Sequence, residues 1–415
     1  MKIQSFSQLV NKNIDQVDPA VSPGTLFSML GNREVYERVY DQITTKYSEF
    51  DSVKETGLLG TDGLTASIGN ISKRDLIACM MHIRDNDTLF RMCRDSSRTA
   101  RLFDKFYLIN DKKQGWNLRL HVQYVGGNGL EGEDPPHYHR WTLASRVLSG
   151  GYCNRNYRET SASGVDSLHV YDKYQLEASS KQISDSRRMA RLLGKAAMLP
   201  VHAEVFDRDS LNHFPFRTPH SVQAKPDHFG STVTLAHSSA PYVAYSTSFL
   251  KPAASGKEFT ELSEIKSSTD PNFLEKFDQA IAFVQVLDLQ DNLIQHFENA
   301  WEQGRKLTPH EAVHHYDSYE PNYVETSLLS ALHIYLMEKE HNMPHREFSA
   351  STVKLLDQAL AYIKPDALRR LIVLNQHNLA LNTLSSEKYA NNSLLMEQLE
   401  REFVAKLQAH QTKKT

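Results

Sequence analysis

Hydrophobic spacing changes character along this chain. From 116 to 124 it alternates strictly: Trp116, Leu118, Leu120, Val122 and Tyr124 share one parity, and Asn117, Arg119, His121 and Gln123 share the other. That period of two predicts a strand with one apolar and one polar face. A Gly-rich turn follows at 126–129, and more strand-like runs cover 141–148, 152–160, 168–178, 200–206, 231–237 and 242–249. Short strands separated by turn signals predict an antiparallel sandwich or barrel. One stretch breaks the pattern: 184–197, rich in Arg, Leu, Met and Ala, predicts a helix inserted between strands.

On either side the period lengthens to that of a helix. Ser72 stands before Leu76, Ile77, Met80 and Met81, with Asp75 placed to complete a cap. Asp270 and Pro271 precede Phe273, Phe277, Ile281 and Val284 in the same way. Further helices are predicted to begin near Thr308, Asn322 and Ser351, with Pro365 as punctuation. The expected organisation is α+β: a helical region over 1–115, a central antiparallel barrel over 116–255 and a helical domain over 256–415. The Pro-, Ala-, Ser- and Gly-bearing stretch 251–257 serves as the second linker.

Composition narrows the function classes. The 415 residues carry a net charge of -3 with 40% hydrophobic positions, which fits a folded protein and excludes a global basic field for nucleic acid or anionic lipid. Three cysteines, Cys79, Cys93 and Cys153, make a poor disulfide framework. The first residues lack the apolar core of a secretory signal and no apolar run approaches a membrane span. The expectation is a cytoplasmic protein with a small-molecule substrate, no nucleic acid and no membrane, and with the helical regions available for a homo-oligomer or a protein partner.

The sharpest chemical signal is GEDPPHYHRWTLASRVLSGG at 132–151. His137 and His139, two apart, point the same way from a strand and can share one metal ion. Nineteen histidines produce roughly one such pair by chance, so the context matters: a Pro-Pro turn before, a β-type run after and a Gly-Gly turn at the end. A second segment, DSLNHFPFRTPHSV at 209–222, brings His220 out of a Pro-containing turn, with His213 seven residues earlier.

Together the two segments resemble the paired motifs of the cupin superfamily. The resemblance implies that His137 and His139 are the paired ligands, Gly151 the closing glycine and His220 the distal ligand, all meeting inside a small antiparallel barrel. The acidic ligand usual in that family is missing, since Leu143 or Ala144 holds its place. Three histidines without a carboxylate resemble the thiol dioxygenases, of which cysteine dioxygenase is one. The cross-linking cysteine of the animal enzymes has no counterpart, with Ala144 in its slot and Cys153 too far along.

Imidazoles suit Fe, Zn, Cu and Ni; the resemblance favours Fe(II), hence a non-haem iron dioxygenase acting on a small carboxylate- or thiol-bearing molecule. Arg119, sharing a strand face with His121, is the expected carboxylate anchor, unless that face simply meets solvent. Tyr157 is a second catalytic candidate, with Tyr152 and Arg217 as weaker ones, and His213 either supports or replaces His220. The alternative from another class is a cupin-based module that senses a ligand or metal and signals through its helices. A competing motif, HEAVH at His310, Glu311 and His314, has metallopeptidase spacing, with Glu325 as an undistinguished third ligand. It opens a helix at Thr308 and Pro309 rather than lying inside one, so exposed helical residues are the simpler account. His341 and His345 repeat the spacing around Pro344, which disrupts helical presentation.

Overall fold

The computed structural model describes residues 23–54, 61–99, 103–124, 135–177, 182–184, 187–225, 231–252, 259–263, 265–266, 270–305 and parts of 335–371. HEAVH, the 341–345 pair, the 126–129 turn, Glu325 and the helix starts near Thr308 and Asn322 lie outside the described residues, as does most of the 251–257 linker.

Helices α1 (Pro23–Lys54), α2 (Thr61–Gly69), α3 (Lys73–Asp85) and α4 (Asp87–Ser96) come first, and α5 (Phe273–Glu302) and α6 (Ala350–Leu360) follow the strands. The Ser72 side chain caps α3 by accepting from the Asp75 amide at 3.0 Å, and Asp270 accepts from the Asn272 amide at 2.9 Å ahead of α5, as their sequences predict.

The strands are β1 (Arg98–Thr99), β2 (Phe103–Asn110), β3 (Asn117–Tyr124), β4 (His137–Tyr138), β5 (Leu143–Ser149), β6 (Gly151–Thr160), β7 (Val170–Glu177) and β8 (Gln182–Ser184). They continue with β9 (Arg187–Asp207), β10 (Leu211–Phe214), β11 (His220–Lys225), β12 (Ser231–Ser238), β13 (Tyr245–Leu250), β14 (Phe259–Ser263) and β15 (Ile265–Lys266). They pair into two sheets, here the front sheet β14-β9-β6-β11-β4-β13-β7 and the back sheet β10-β5-β12-β3-β2-β1-β15. Every ladder among the described residues is antiparallel, as for β2–β3, β3–β12 and β6–β11. Among the described residues no series of pairings joins the two into the single closed barrel that the motifs imply.

Two local expectations fail for identifiable reasons. The 184–197 stretch is not a helix: it belongs to β8 and the long β9, which pairs in turn with β14, β7 and β6. Helix-favouring composition is a weak prior, and the ladder bonds override it. Strands β1 and β2 occupy part of the N-terminal stretch read as helical. In β2 the register shifts between Tyr107 and Ile109, so Leu108 is an extra residue opposite β3, and this bulge hides the period of two.

The back sheet separates two environments. Phe106, Leu118, Leu120 and Val122 face the helices and share a core with Ile43, Leu76, Met80, Phe273 and Phe277. Phe106 lies 5.5 Å from Phe277, ring to ring, at an edge-on angle of 65°. Polar ties join the layers: Lys73 reaches Asp291 at 2.5 Å and Arg84 reaches Asp278 at 3.0 Å between α3 and α5. The guanidinium of Arg146 on β5 donates to the Ile71 carbonyl at 2.8 Å. The other face of the back sheet looks across a cavity at the front sheet. Among the described residues no helix is long and apolar enough to cross a membrane, and all three cysteines are free.

Candidate metal centre

The distant histidine motifs meet on the front sheet. β4 lies between β11 and β13, and His137 pairs directly with His220, the first residue of β11. His139, two residues on, falls beside them. The ring centroids are 4.8 Å apart for His137–His139, 4.7 Å for His137–His220 and 5.1 Å for His139–His220. One nitrogen from each ring lies within 4.8 Å of the others. Two nitrogens at right angles on one ion at about 2.1 Å would sit roughly 3 Å apart, a closure that ring rotations provide.

The backbone prepares these rings. Nδ1 of His137 lies 3.0 Å from the Pro135 carbonyl and Nδ1 of His220 lies 2.9 Å from the Thr218 carbonyl. In the tautomer that donates from Nδ1, each Nε2 keeps its lone pair for a metal. The proline turns set up both contacts. Pro136 and Pro219 also accept backbone bonds, from Phe249 at 2.8 Å and Tyr157 at 2.9 Å, and Arg217 takes a left-handed φ of 61° just before β11.

Burial keeps two of the imidazoles, those of His139 and His220, neutral. It pushes His220 down to about 3, helped by His137. It also holds His139 well below the ordinary histidine range, with His137, His220, Arg119 and Lys105 adding to the effect. Neutral imidazole is the form that binds metal, so no proton has to be displaced at neutral pH. The donor set fits a divalent ion: a three-histidine cluster can hold one, and its identity is not determined by these residues. His139 is stacked on Trp141 at 5.7 Å and 9°, and His220 packs on Phe214 at 4.6 Å, so an aromatic ring backs each of them.

Behind the cluster lies a cavity of about 440 Å³. Arg119 and His121 line it, so the polar face of β3 turns into the cavity. Arg119 is 2% exposed, and its Nε and Nη2, like Nε1 of Trp141, have no hydrogen-bond partner. Its guanidinium carbon lies 5.5 Å from the Tyr107 ring and 5.4 Å from the Trp141 ring. Burial alone would raise the Tyr107 phenol, but Arg119, Lys105 and Arg98 outweigh it and bring it below the usual tyrosine value.

The other candidates separate cleanly. Tyr152 lines the cavity and Tyr157 does not. Five residues apart on β6, they point to opposite faces. Tyr157 packs with Ala196, Met198 and Phe249, and its hydroxyl lies 3.1 Å from Ser221 Oγ, so a catalytic part for Tyr157 has no geometric support. His213, on β10 opposite Ala144, is outside the cluster, and His220 fills the distal place alone. Arg217 is exposed. A Cβ on Gly151 would meet the Phe206 carbonyl at 2.7 Å, which explains a glycine there. Leu143 lines the cavity.

Sequence reasoning missed Tyr107 and Lys105. Both lie on β2, opposite Arg119 and His121 respectively, and the alternation that would expose them is interrupted by the bulge at Leu108.

Comparisons with known proteins add names without adding geometry. No family model matches the chain, and no curated protein matches it. Solved structures that align with it include the oxalate decarboxylase of Lactobacillus farciminis, at 12% identity and a TM-score of 0.21, over 36% of this chain and 31% of that one. The chain thus spans about a third of that enzyme's length. A cupin-like protein of Thermotoga maritima aligns at 11% identity and a TM-score of 0.20, over 39% of this chain and 89% of that one. The ectoine synthase of P. lautus aligns at 11% identity and a TM-score of 0.21, over 43% and 92%.

Proposed function

We propose that this chain is a cupin-type metalloenzyme, a non-haem Fe(II) oxygenase acting on a small acid held in the cavity behind His137, His139 and His220. One observation carries the reading: three clustered imidazoles, two of them with their second nitrogens tied back to the backbone, share a cavity with a buried arginine two of whose nitrogens have no partner. Fe(II) in a three-histidine site would supply open coordination positions and the redox chemistry with dioxygen. The chain's own residues do the rest. Arg119 seats the substrate carboxylate and thereby orients its reacting end toward the histidines. Trp141 and Phe214 back two of the ligand rings and exclude water from them.

Metal analysis of anaerobically purified protein, followed by oxygen uptake with a panel of small thiols and carboxylates, tests this. Stoichiometric iron and substrate-dependent uptake, both lost in His137→Ala, are the expected results. Zinc at full occupancy without uptake would point to metal-assisted hydrolysis, and absence of any metal would end the metalloenzyme reading.

A second reading, a ligand-sensing module, is favoured by the double role of β3. Arg119 faces the cavity while Leu118 and Leu120 belong to the core shared with the helices. In that case ligand binding without oxygen uptake would change association with a protein partner.

A further inference from the structure

We propose that the exposed part of β9 pairs antiparallel with the same strand of a second copy of this chain, about a two-fold axis at Ala203, so that the protein is a homodimer joined through its front sheets. This goes beyond the metal reading and does not depend on it.

Val201, His202, Ala203, Glu204 and Val205 are consecutive exposed residues within β9, so both faces of the strand are open here. The two valines are 65% and 49% exposed. Over this stretch β9 is bonded to β6 on one side. On the other side no strand pairs with it among the described residues, since the ladders to β7 and β14 lie at 191–197 and 187–191. The Tyr157 amide donates to the Pro219 carbonyl, toward β11. By the alternation of a strand Arg155 and Cys153 turn the same way, so their β9 partners Ala203 and Val205 turn their amides and carbonyls away from β6. An edge with its bonding groups outward and apolar side chains in water is a surface to which another strand adds.

The order of residues selects the same strand as partner. A two-fold interface sets identical segments against each other, and Val-His-Ala-Glu-Val reads nearly alike in both directions about Ala203. Centred there, Val201 falls opposite the partner's Val205, and His202 falls opposite the partner's Glu204. Each valine then meets a valine, and each imidazole meets a carboxylate. The polar match is already present inside one copy, where Nε2 of His202 lies 3.7 Å from the Glu204 carboxylate. Moving the axis by one residue to Glu204 would put two carboxylates face to face, which fixes the register. Leu168, 70% exposed on the short helix Ser167–His169 that packs against β9, widens the apolar surface.

Sedimentation equilibrium on the full chain across the micromolar range tests this. A reversible equilibrium between monomer and dimer is the expected result. His202→Glu sets carboxylates opposite each other in both polar pairs and is expected to weaken the dimer at least tenfold. Adding Glu204→Lys to that variant makes the pairs opposite in charge again and should restore the dimer to within about threefold of the original. Both positions are exposed, so circular dichroism should show the variants equally folded. Val205→Lys, which charges the apolar pair, should also weaken the dimer at least tenfold, and it carries the test if His202→Glu does not fold. A monomer at every concentration overturns the inference and leaves this edge to a different protein. A dimer that resists His202→Glu and Val205→Lys, or that the double substitution fails to restore, also overturns it, because the contact then lies elsewhere.

Discussion

The two faces of the back sheet each hold fully buried side chains and are built on opposite rules. Toward the helices, Leu118, Leu120 and Phe106 are closed in by apolar neighbours from α3 and α5. Toward the cavity, Arg119 is equally inaccessible, yet two of its nitrogens meet nothing. Depth alone therefore does not separate core from site in this molecule. The difference lies in whether each buried group has found its partner: the first face gains stability from burial, and the second gives stability up to hold a polar group ready.

That contrast can be broken most directly on the apolar side. Phe106→Ala is expected to cost about 3 to 5 kcal/mol in denaturant unfolding. A loss under about 1 kcal/mol would mean that strands and helices do not share one core. Next comes the metal. At one hundred times its dissociation constant, zinc is expected to raise unfolding stability by about 2.7 kcal/mol, and His139→Ala should abolish that gain while leaving the zinc-free protein folded. A zinc effect that survives the substitution would place the ion elsewhere.

Arg119→Met sharpens the comparison, because it should act opposite to Phe106→Ala. Removing a guanidinium with two unpartnered nitrogens is expected to leave stability unchanged or raise it by about 1 to 3 kcal/mol, while acid binding disappears. A clear destabilisation would make Arg119 a structural residue.

The smallest effect is a slope. His237 on β12 is fully buried, accepts or donates at 2.7 Å to Ser67 Oγ, and is pushed down to about 3 by burial and then by Arg119. Above about 6.5, the ordinary histidine value, it is neutral whether folded or not. Below that only the unfolded chain takes the proton, so stability falls with pH until about 3, by up to about 1.4 kcal/mol per pH unit. His237→Gln should flatten the acid limb of a stability-versus-pH curve measured in denaturant. An unchanged slope would assign that limb to other groups.

The parts legible in the sequence are those carried by strict local signals. The alternation around β3 exposes its two faces, the Ser72 cap marks the start of α3, and the His-x-His and Pro-turn-His segments name the residues that converge. The illegible parts depend on pairing between distant segments. β9 looks helical until its ladders to β6 and β7 are seen. The bulge at Leu108 conceals β2, and with it Tyr107 and Lys105. That Tyr152 rather than Tyr157 lines the cavity depends on what packs on each face of β6, which residue type cannot reveal.

The direct pairing of His137 with His220 also has a bearing on time. The five strands β5–β6 and β8–β10, together with β7, are threaded between those two positions, so the loop that the pairing closes is long. Closing it costs chain entropy before any contact repays it, and such contacts slow folding. The ability to capture a metal should accordingly arrive late during refolding, after the helices that flank the back sheet have acquired their far-ultraviolet signal. A chelating dye competing for zinc would then follow the assembly of the front sheet as a clock.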